Sequence, residues 1–340
     1  MPSNGMKHGP SARWLLALIL ALMASFSTPP AFSAMKQSVE PTISIGVAVE
    51  VAQELSDTAA SLAGLVARQS RGTLRPELVK TNLPGRQLLQ MARAGSIDLI
   101  IVPNSQVAAI RPEFQALELP FLFSGREHVG RVLDGPVGEE LLARLEQVRL
   151  HGLAFWDLGM VHLSRRDRPI RRASDLRGLR VGVSSGARYL PETLEALGAQ
   201  VTVISAAEQY SAMQVGMIEA GEWRLISFLA RRGYEVQRTL SLTRHRYLAA
   251  PVMVNWGLFS RMQDYQKQAL VRAARSLGEQ LRAQHASDDS RRIVEIRERG
   301  VEVIESPEMG AAHDIAWKVA YWDFAKRSSF DVLDAIERLR

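Results

Sequence analysis

The sequence predicts an α/β protein of two lobes, and three observations carry that prediction. Strand-like and helix-like segments alternate along the chain, the alternation starts afresh near residue 160, and one helical pattern beyond residue 264 is long enough to reach across both units. The chain has 340 residues, enough for two cores. No internal repeat and no low-complexity linker interrupts it.

The first segment is an export signal. Lys7 and Arg13 precede the apolar run "WLLALILALMA" (Trp14–Ala24), and "SFSTPPAFSA" follows. A basic start, an apolar stretch of about 7–15 residues and small residues before a cut are the parts of a secretory leader. Ala31 and Ser33 supply the small residues, so residues 1–33 are expected to leave after Ser33. The run is too short for a spanning helix, which needs about 20 apolar residues. Lys7 and Arg13 leave with the leader, so the formal net charge falls from +6 to +4. That balance suits an anionic ligand. The basic residues are scattered among acids, as in "RRIVEIRERG", which speaks against nucleic acid as a partner. There is no cysteine, so disulfides and thiol chemistry are excluded.

Each element follows from its own pattern. "TISIGVAV" (42–49) is a β-rich run. Leu55, Leu62, Leu65 and Val66 then fall at helical spacing through 52–70, and Gly72 ends that helix. "LRPELVK" reads as a second strand. "GRQLLQMARAG" (85–95) reads as a helix with Gly95 at its end, where glycine can take a left-handed cap. "IDLIIVP" (97–103) is a buried strand, and "LELPFLF" (117–123) is expected to cross the molecule extended. In the second unit, "LRVGV" and "QVTVIS" are strands, while "LPETLEALGA" and "AAEQYSAMQVG" are helices ending at Gly198 and Gly216. "RHRYLAAPVMVNWGLF" (244–259) is a long extended run returning to the first unit. Asp264 is the expected cap of a helical pattern that lasts to Gly300, with Leu270, Ala274, Leu277 and Leu281 as its apolar stripe.

An ordered series of pieces resembles one family. "AGSIDLIIVPNS", "RPEFQALELPFLF", "LDGPVGEELL", "GLAFWDLG", "RPIRRASDLRGLRV", "LEALGAQVTVISAAEQYSAMQVGMIEAGE", "YEVQRTLSLTRHRYLAAPVMVN" and "LVRAARSLGEQ…RGVEVIE" occur in order with fitting gaps, and the resemblance runs from about residue 42 to about 320. They are similar to the substrate-binding proteins of tripartite ATP-independent periplasmic (TRAP) transporters, of the C4-dicarboxylate-binding type. The resemblance implies the two-lobed periplasmic-binding-protein fold, with hinge strands and a long helix bracing both lobes. Lobe I would comprise residues 34–159 with 248–285 returning to it, and lobe II residues 160–247 with 286–320 packed on it. Residues 321–340 would form a C-terminal tail.

The resemblance also implies a carboxylate clamp, an arginine in the strand after "DLRGLR" and an asparagine after "EAGE". A guanidinium fork matches a carboxylate through two parallel hydrogen bonds. Here those positions are Gly182 and Trp223, and a further arginine near the hinge is replaced around Val161 and His162. Three readings follow. Arg188 reaches the same point from the helix side, or Trp223 walls a pocket for a ligand without a carboxylate, or no small molecule binds. Other candidate ligand contacts are Glu50 and Asn104 at strand ends, Trp156 and Asp157 at the end of a hinge strand, Tyr210, Glu222, and Asn255 in the return strand.

Catalytic constellations are absent. His128, His151, His162, His245, His285 and His313 are isolated in sequence, with no HExxH, no GxSxG elbow and no phosphate-binding loop. No cofactor or metal is expected. The expected function is capture of a small organic solute, an organic acid with an atypical clamp, in the periplasm and its delivery to membrane TRAP permease subunits. The alternative is a ligand sensor docking on a membrane histidine kinase.

Overall fold

The computed structural model describes Met1 and residues 42–340 apart from 206 and 329. The predicted leader lies outside the described residues but for Met1. No helix among the described residues is long and apolar enough to cross a membrane.

The chain opens with β1 (Thr42–Val47), α1 (Ala52–Gln69), β2 (Arg75–Leu78), α2 (Gly85–Ala94), β3 (Leu99–Ile101) and α3 (Asn104–Ala108). α1 buries Leu55, Ala59, Leu62 and Val66, spaced four, three and four, so one stripe faces the sheet. α2 stops where Gly95 takes φ 79°, which turns the Gly95 and Ser96 N–H groups back onto the carbonyls of Ala92 and Met91. "LELPFLF" is not one extended piece. Its first residues belong to a 3-10 helix, Pro112–Glu118, and the chain then turns through Phe121 at φ 60°. Pro112 opens that helix because its fixed φ and missing N–H cost nothing at a first helical position.

Next come α4 (Arg126–Leu133), α5 (Pro136–Ala143) and β4 (Leu150–Arg165), then β5 (Arg180–Ser184), α6 (Leu190–Ala196), β6 (Gln200–Ile204), α7 (Gln209–Gln214), β7 (Ala220–Trp223) and α8 (Leu225–Ala230). β8 runs Thr239–Asn255, five residues earlier in its start than the sequence pattern suggests. The last elements are α9 (Trp256–Arg261), α10 (Asp264–Glu298), β9 (Glu302–Ile304), α11 (Gly310–Ala316), α12 (Trp322–Arg327) and α13 (Phe330–Glu337). Asp264 is the first residue of α10 and not its cap. Gln263 precedes it, with its N–H accepted by the Gln266 side chain at 3.0 Å.

Among the described residues the strands form one mixed sheet in the order β2-β1-β3-β8-β4-β7-β5-β6, with β9 beside β8. β1 pairs parallel with β2 and β3, and β5 pairs parallel with β6 and β7. The antiparallel pair β4 and β8 joins these two halves. Strands of 16 and 17 residues span about 50 Å at about 3.3 Å per residue, so both halves hang on the same two strands. Their register shifts three times, once between Asp157 and Gly159, where Gly159 takes φ 100°.

One apolar core lies around β1, β3 and the facing ends of β4 and β8. Two smaller cores cover the two faces of the β5 half-sheet: Val181 and Val183 point into one, and Trp223, Met213 and Ile218 make the other. α10 reaches both ends, placing Leu270, Leu277 and Leu281 in the first core and Ile296 in the third. Gly278 lets it approach β4, since a Cβ there would stand 3.0 Å from the Phe155 carbonyl oxygen. The stretch 321–340 is mostly helical, and Val332, Leu333 and Ile336 are buried in the first core.

Candidate functional site

β4 and β8 carry the polar groups of the joint. Asp157, fully buried on β4, pairs with Arg126 at 2.5 Å and with His285 Nδ1 of α10 at 3.1 Å, and it accepts the Gly159 N–H at 3.2 Å. Arg126 also holds Asp289 of α10. Burial alone would raise the Asp157 pKa, but His285 and Arg126 outweigh it and hold the carboxyl below its ordinary range.

Beside this joint lies a cavity of about 530 Å³ between the first half of α1, α8 and the middle of α10. Glu54, Asp57, Ile226, His285 and Asp288 face it, together with Arg224 and Arg292. Arg224 lies just before α8, and its guanidinium takes both carboxylate oxygens of Glu54 and donates to the Leu158 carbonyl at 3.0 Å. The volume falls within the range of small-molecule pockets, about 300–1,000 Å³. Its wall already contains one arginine–carboxylate fork.

A second polar group is sealed inside, where β5, β7 and β8 meet the 3-10 helix. The Glu222 carboxylate of β7 accepts the Ser184 N–H at 2.6 Å and Arg246 Nη2 at 3.0 Å, with His245 Nε2 at 3.1 Å. Arg246 also donates to Ser184 Oγ at 2.7 Å and stands 4.0 Å from Glu118, which accepts from Asn104 Nδ2 at 2.9 Å. Burial would raise the Glu222 pKa, but Arg246, His245 and the Ser184 N–H lower it to about 2. Glu118 lies above its ordinary value because burial outweighs Arg246. Burial also holds His245 low, so a neutral imidazole faces the ionised Glu222.

The predicted contacts scatter over this frame. Asn104 and Glu222 belong to the sealed polar group, and the Asn104 side-chain oxygen has no partner there. Asp157 lies at the joint. Trp156, beside it, donates from its indole to the Ala274 carbonyl of α10 at 2.9 Å. Trp223 packs edge-on against Phe228 and donates to Ser164 Oγ at 2.8 Å, inside the third core. At Gly182 the side-chain space is filled: an added Cβ would meet Ile218 Cδ1 at 2.5 Å and Ile204 Cδ1 at 2.9 Å. Arg188 is exposed and lies over the Tyr189 ring, 5.7 Å from its centroid.

His162 is buried, accepts the Arg244 N–H at Nδ1 (3.2 Å) and has a pKa pushed well down by burial. Glu50 is exposed and accepts the Gly85 N–H that opens α2. Tyr210 bonds Glu235 at 2.8 Å. Asn255 caps α9 by accepting the Leu258 N–H at 2.9 Å and donates to the Ala92 carbonyl at 2.7 Å.

The histidines are less isolated than their spacing suggests. His151, His245, His285 and His313 each lie against a carboxylate, of Glu146, Glu222, Asp157 and Glu337. No cluster among the described residues could hold a metal ion. Sequence reasoning missed Arg224, Glu54 and Arg246. Arg224 had a signal, because it directly follows Trp223 at a strand end, where side chains turn outward.

Comparison with known proteins gives one consistent answer. The family described as bacterial extracellular solute-binding protein, family 7, matches residues 48–326. The 2,3-diketo-L-gulonate-binding periplasmic protein of Escherichia coli is 29% identical over 300 residues, 88% of this chain and 89% of that protein. A TRAP periplasmic solute-binding protein from Ochrobactrum anthropi, with its C-terminus in the ligand-binding pocket, is 25% identical with a TM-score of 0.77, covering 88% of this chain and 94% of that one. Another from Sulfurospirillum deleyianum, with bound succinate, is 26% identical with a TM-score of 0.70, over 88% and 99% of the two chains.

Proposed function

The chain belongs to the bacterial extracellular solute-binding proteins of family 7, and on that premise we propose that it captures a small organic acid between α1, α8 and α10 and hands it to a membrane transporter of the tripartite type. It is a binding protein and not an enzyme. Relatives named for, or found with, 2,3-diketo-L-gulonate and succinate support an organic acid as ligand. In this reading residues 1–33 direct export, residues 34–159 with 248–285 form one lobe, and residues 160–247 with 286–320 form the other.

The observation that carries the site is the Arg224–Glu54 fork in the wall of the 530 Å³ cavity. With Gly182 at the family's arginine position, Arg224 is the clamp, and Glu54 occupies it until a ligand carboxylate takes over. In that exchange the arginine keeps the same paired hydrogen bonds. Glu54 and Arg224 lie in different proposed lobes, so the pair also crosses the mouth that a ligand would close. Closure requires a ligand with greater affinity for the closed state than for the open one.

Calorimetric titration of the purified protein with sugar acids and short hydroxy acids tests the site. A ligand carboxylate that binds should lose about 1.5–3 kcal/mol, roughly ten-fold to a hundred-fold in affinity, in Arg224→Gln, while Arg188→Ala leaves it unchanged. Loss in Arg188→Ala with full binding in Arg224→Gln would reject the assignment.

A further inference from the structure

We propose a second ligand site, for a small aromatic carboxylate, in a separate cavity of about 220 Å³ where β8, α11 and the C-terminal residue meet. It shares no lining residue with the larger cavity and goes beyond the function proposed above. Its walls divide by chemistry. Phe121 and Phe123, both buried, supply aromatic surface, and Arg244, Arg340 and His313 supply the polar side.

Two residues of its wall hold a left-handed backbone conformation. Phe121 and Arg244, with φ 60° and 46°, are two of the few non-glycine residues in the left-handed region, and both line this cavity. Such conformations are costly for a bulky side chain and persist only where their surroundings fasten them. The Phe121 N–H donates to the His245 carbonyl at 2.8 Å, and the Arg244 N–H donates to His162 Nδ1 at 3.2 Å. Phe121 is thereby tied to β8, and Arg244, itself on β8, is tied to β4.

Arg244 is a half-buried cation without a carboxylate partner among the described residues. Its guanidinium donates to the carbonyls of Leu242 at 3.3 Å and Glu305 at 3.1 Å. The nearby acids are engaged elsewhere: the Glu305 carboxylate by Arg297 at 2.6 Å, and Glu337 by His313 and Arg340. A flat apolar body against Phe121 and Phe123, with its carboxylate on Arg244 and within reach of Arg340, suits the chemistry of this wall.

The test is a ligand-observed fluorine NMR titration of the purified protein with 4-fluorobenzoate, and with neutral 4-fluorobenzyl alcohol as control. Saturable binding of the acid is expected, at least ten-fold weaker in Arg244→Gln, unchanged in Arg224→Gln, and absent for the alcohol. Arg340→Ala, a change at an exposed residue, should weaken binding several-fold and keeps the test decisive if Arg244→Gln folds poorly. The site is rejected if the acid does not saturate the protein, if binding is unchanged in both Arg244→Gln and Arg340→Ala, or if Arg224→Gln alone removes it. The last result would put the probe in the larger cavity.

Discussion

At Asp157 a single buried carboxylate ties β4, Arg126 and α10 together. Replacing one partner of such a group strands the others, which typically costs about 3–5 kcal/mol. Asp157→Asn should therefore lower stability by about 3 kcal/mol in urea unfolding, while Asp57→Asn, on the cavity rim, should change it little. Glu222 and His162 set the pH response. Glu222 is held at about 2 against an ordinary 4.5, so its contribution is complete above pH 4.5 and is lost as pH falls towards 2. His162 is held below its ordinary 6.5, so the unfolded chain takes up a proton that the folded one refuses, and stability begins to fall below pH 6.5. The urea midpoint should drop between pH 7.5 and 5.5, and His162→Gln should make that drop shallower, leaving the part due to His245, which burial also holds low. Neither group was legible as such in the sequence, because desolvation depends on neighbours that the sequence does not place.

β7 shows what an element decides. Its two faces alternate, so Gly221 and Trp223 point into the third core while Glu222 joins the sealed polar group. Trp223→Ala should cost about 3–5 kcal/mol of stability and leave the ligand affinity of the native fraction unchanged. An affinity loss without a stability loss would return Trp223 to the site. On β5, Gly182 is closely surrounded, and Gly182→Ala should cost about 1–3 kcal/mol through overpacking against Ile218 and Ile204. Ile218→Val should relieve part of that cost, measurable as a double-mutant cycle. The glycine at 182 and the isoleucines at 204 and 218 are thus coupled through packing. The sequence displayed the glycine, but only packing revealed its occupants.

Over the whole molecule, the long strands β4 and β8 and the 35-residue α10 connect the cores. A ligand seated at Arg224 would join the proposed lobes beside α10. At about 100 times its dissociation constant it should add about 2.7 kcal/mol to stability and raise the melting temperature by a few degrees. The same ligand at that concentration should stabilise Arg224→Gln by only about 0.4–1.4 kcal/mol, half the native shift or less. By itself the sequence determined the α/β alternation, the helices ended by Gly72 and Gly95, the long helix after Gln263 and the family series, because these rest on periodicity and local backbone preference. Only the tertiary structure separates the environments of Arg188 and Arg224, on which the proposed clamp rests. Folding leaves Arg188 exposed on the Tyr189 ring and sets Arg224 against Glu54, 170 residues away, in the wall of a cavity. Contacts between residues so far apart in the chain follow from how strands and helices pack, and local pattern carries no record of them.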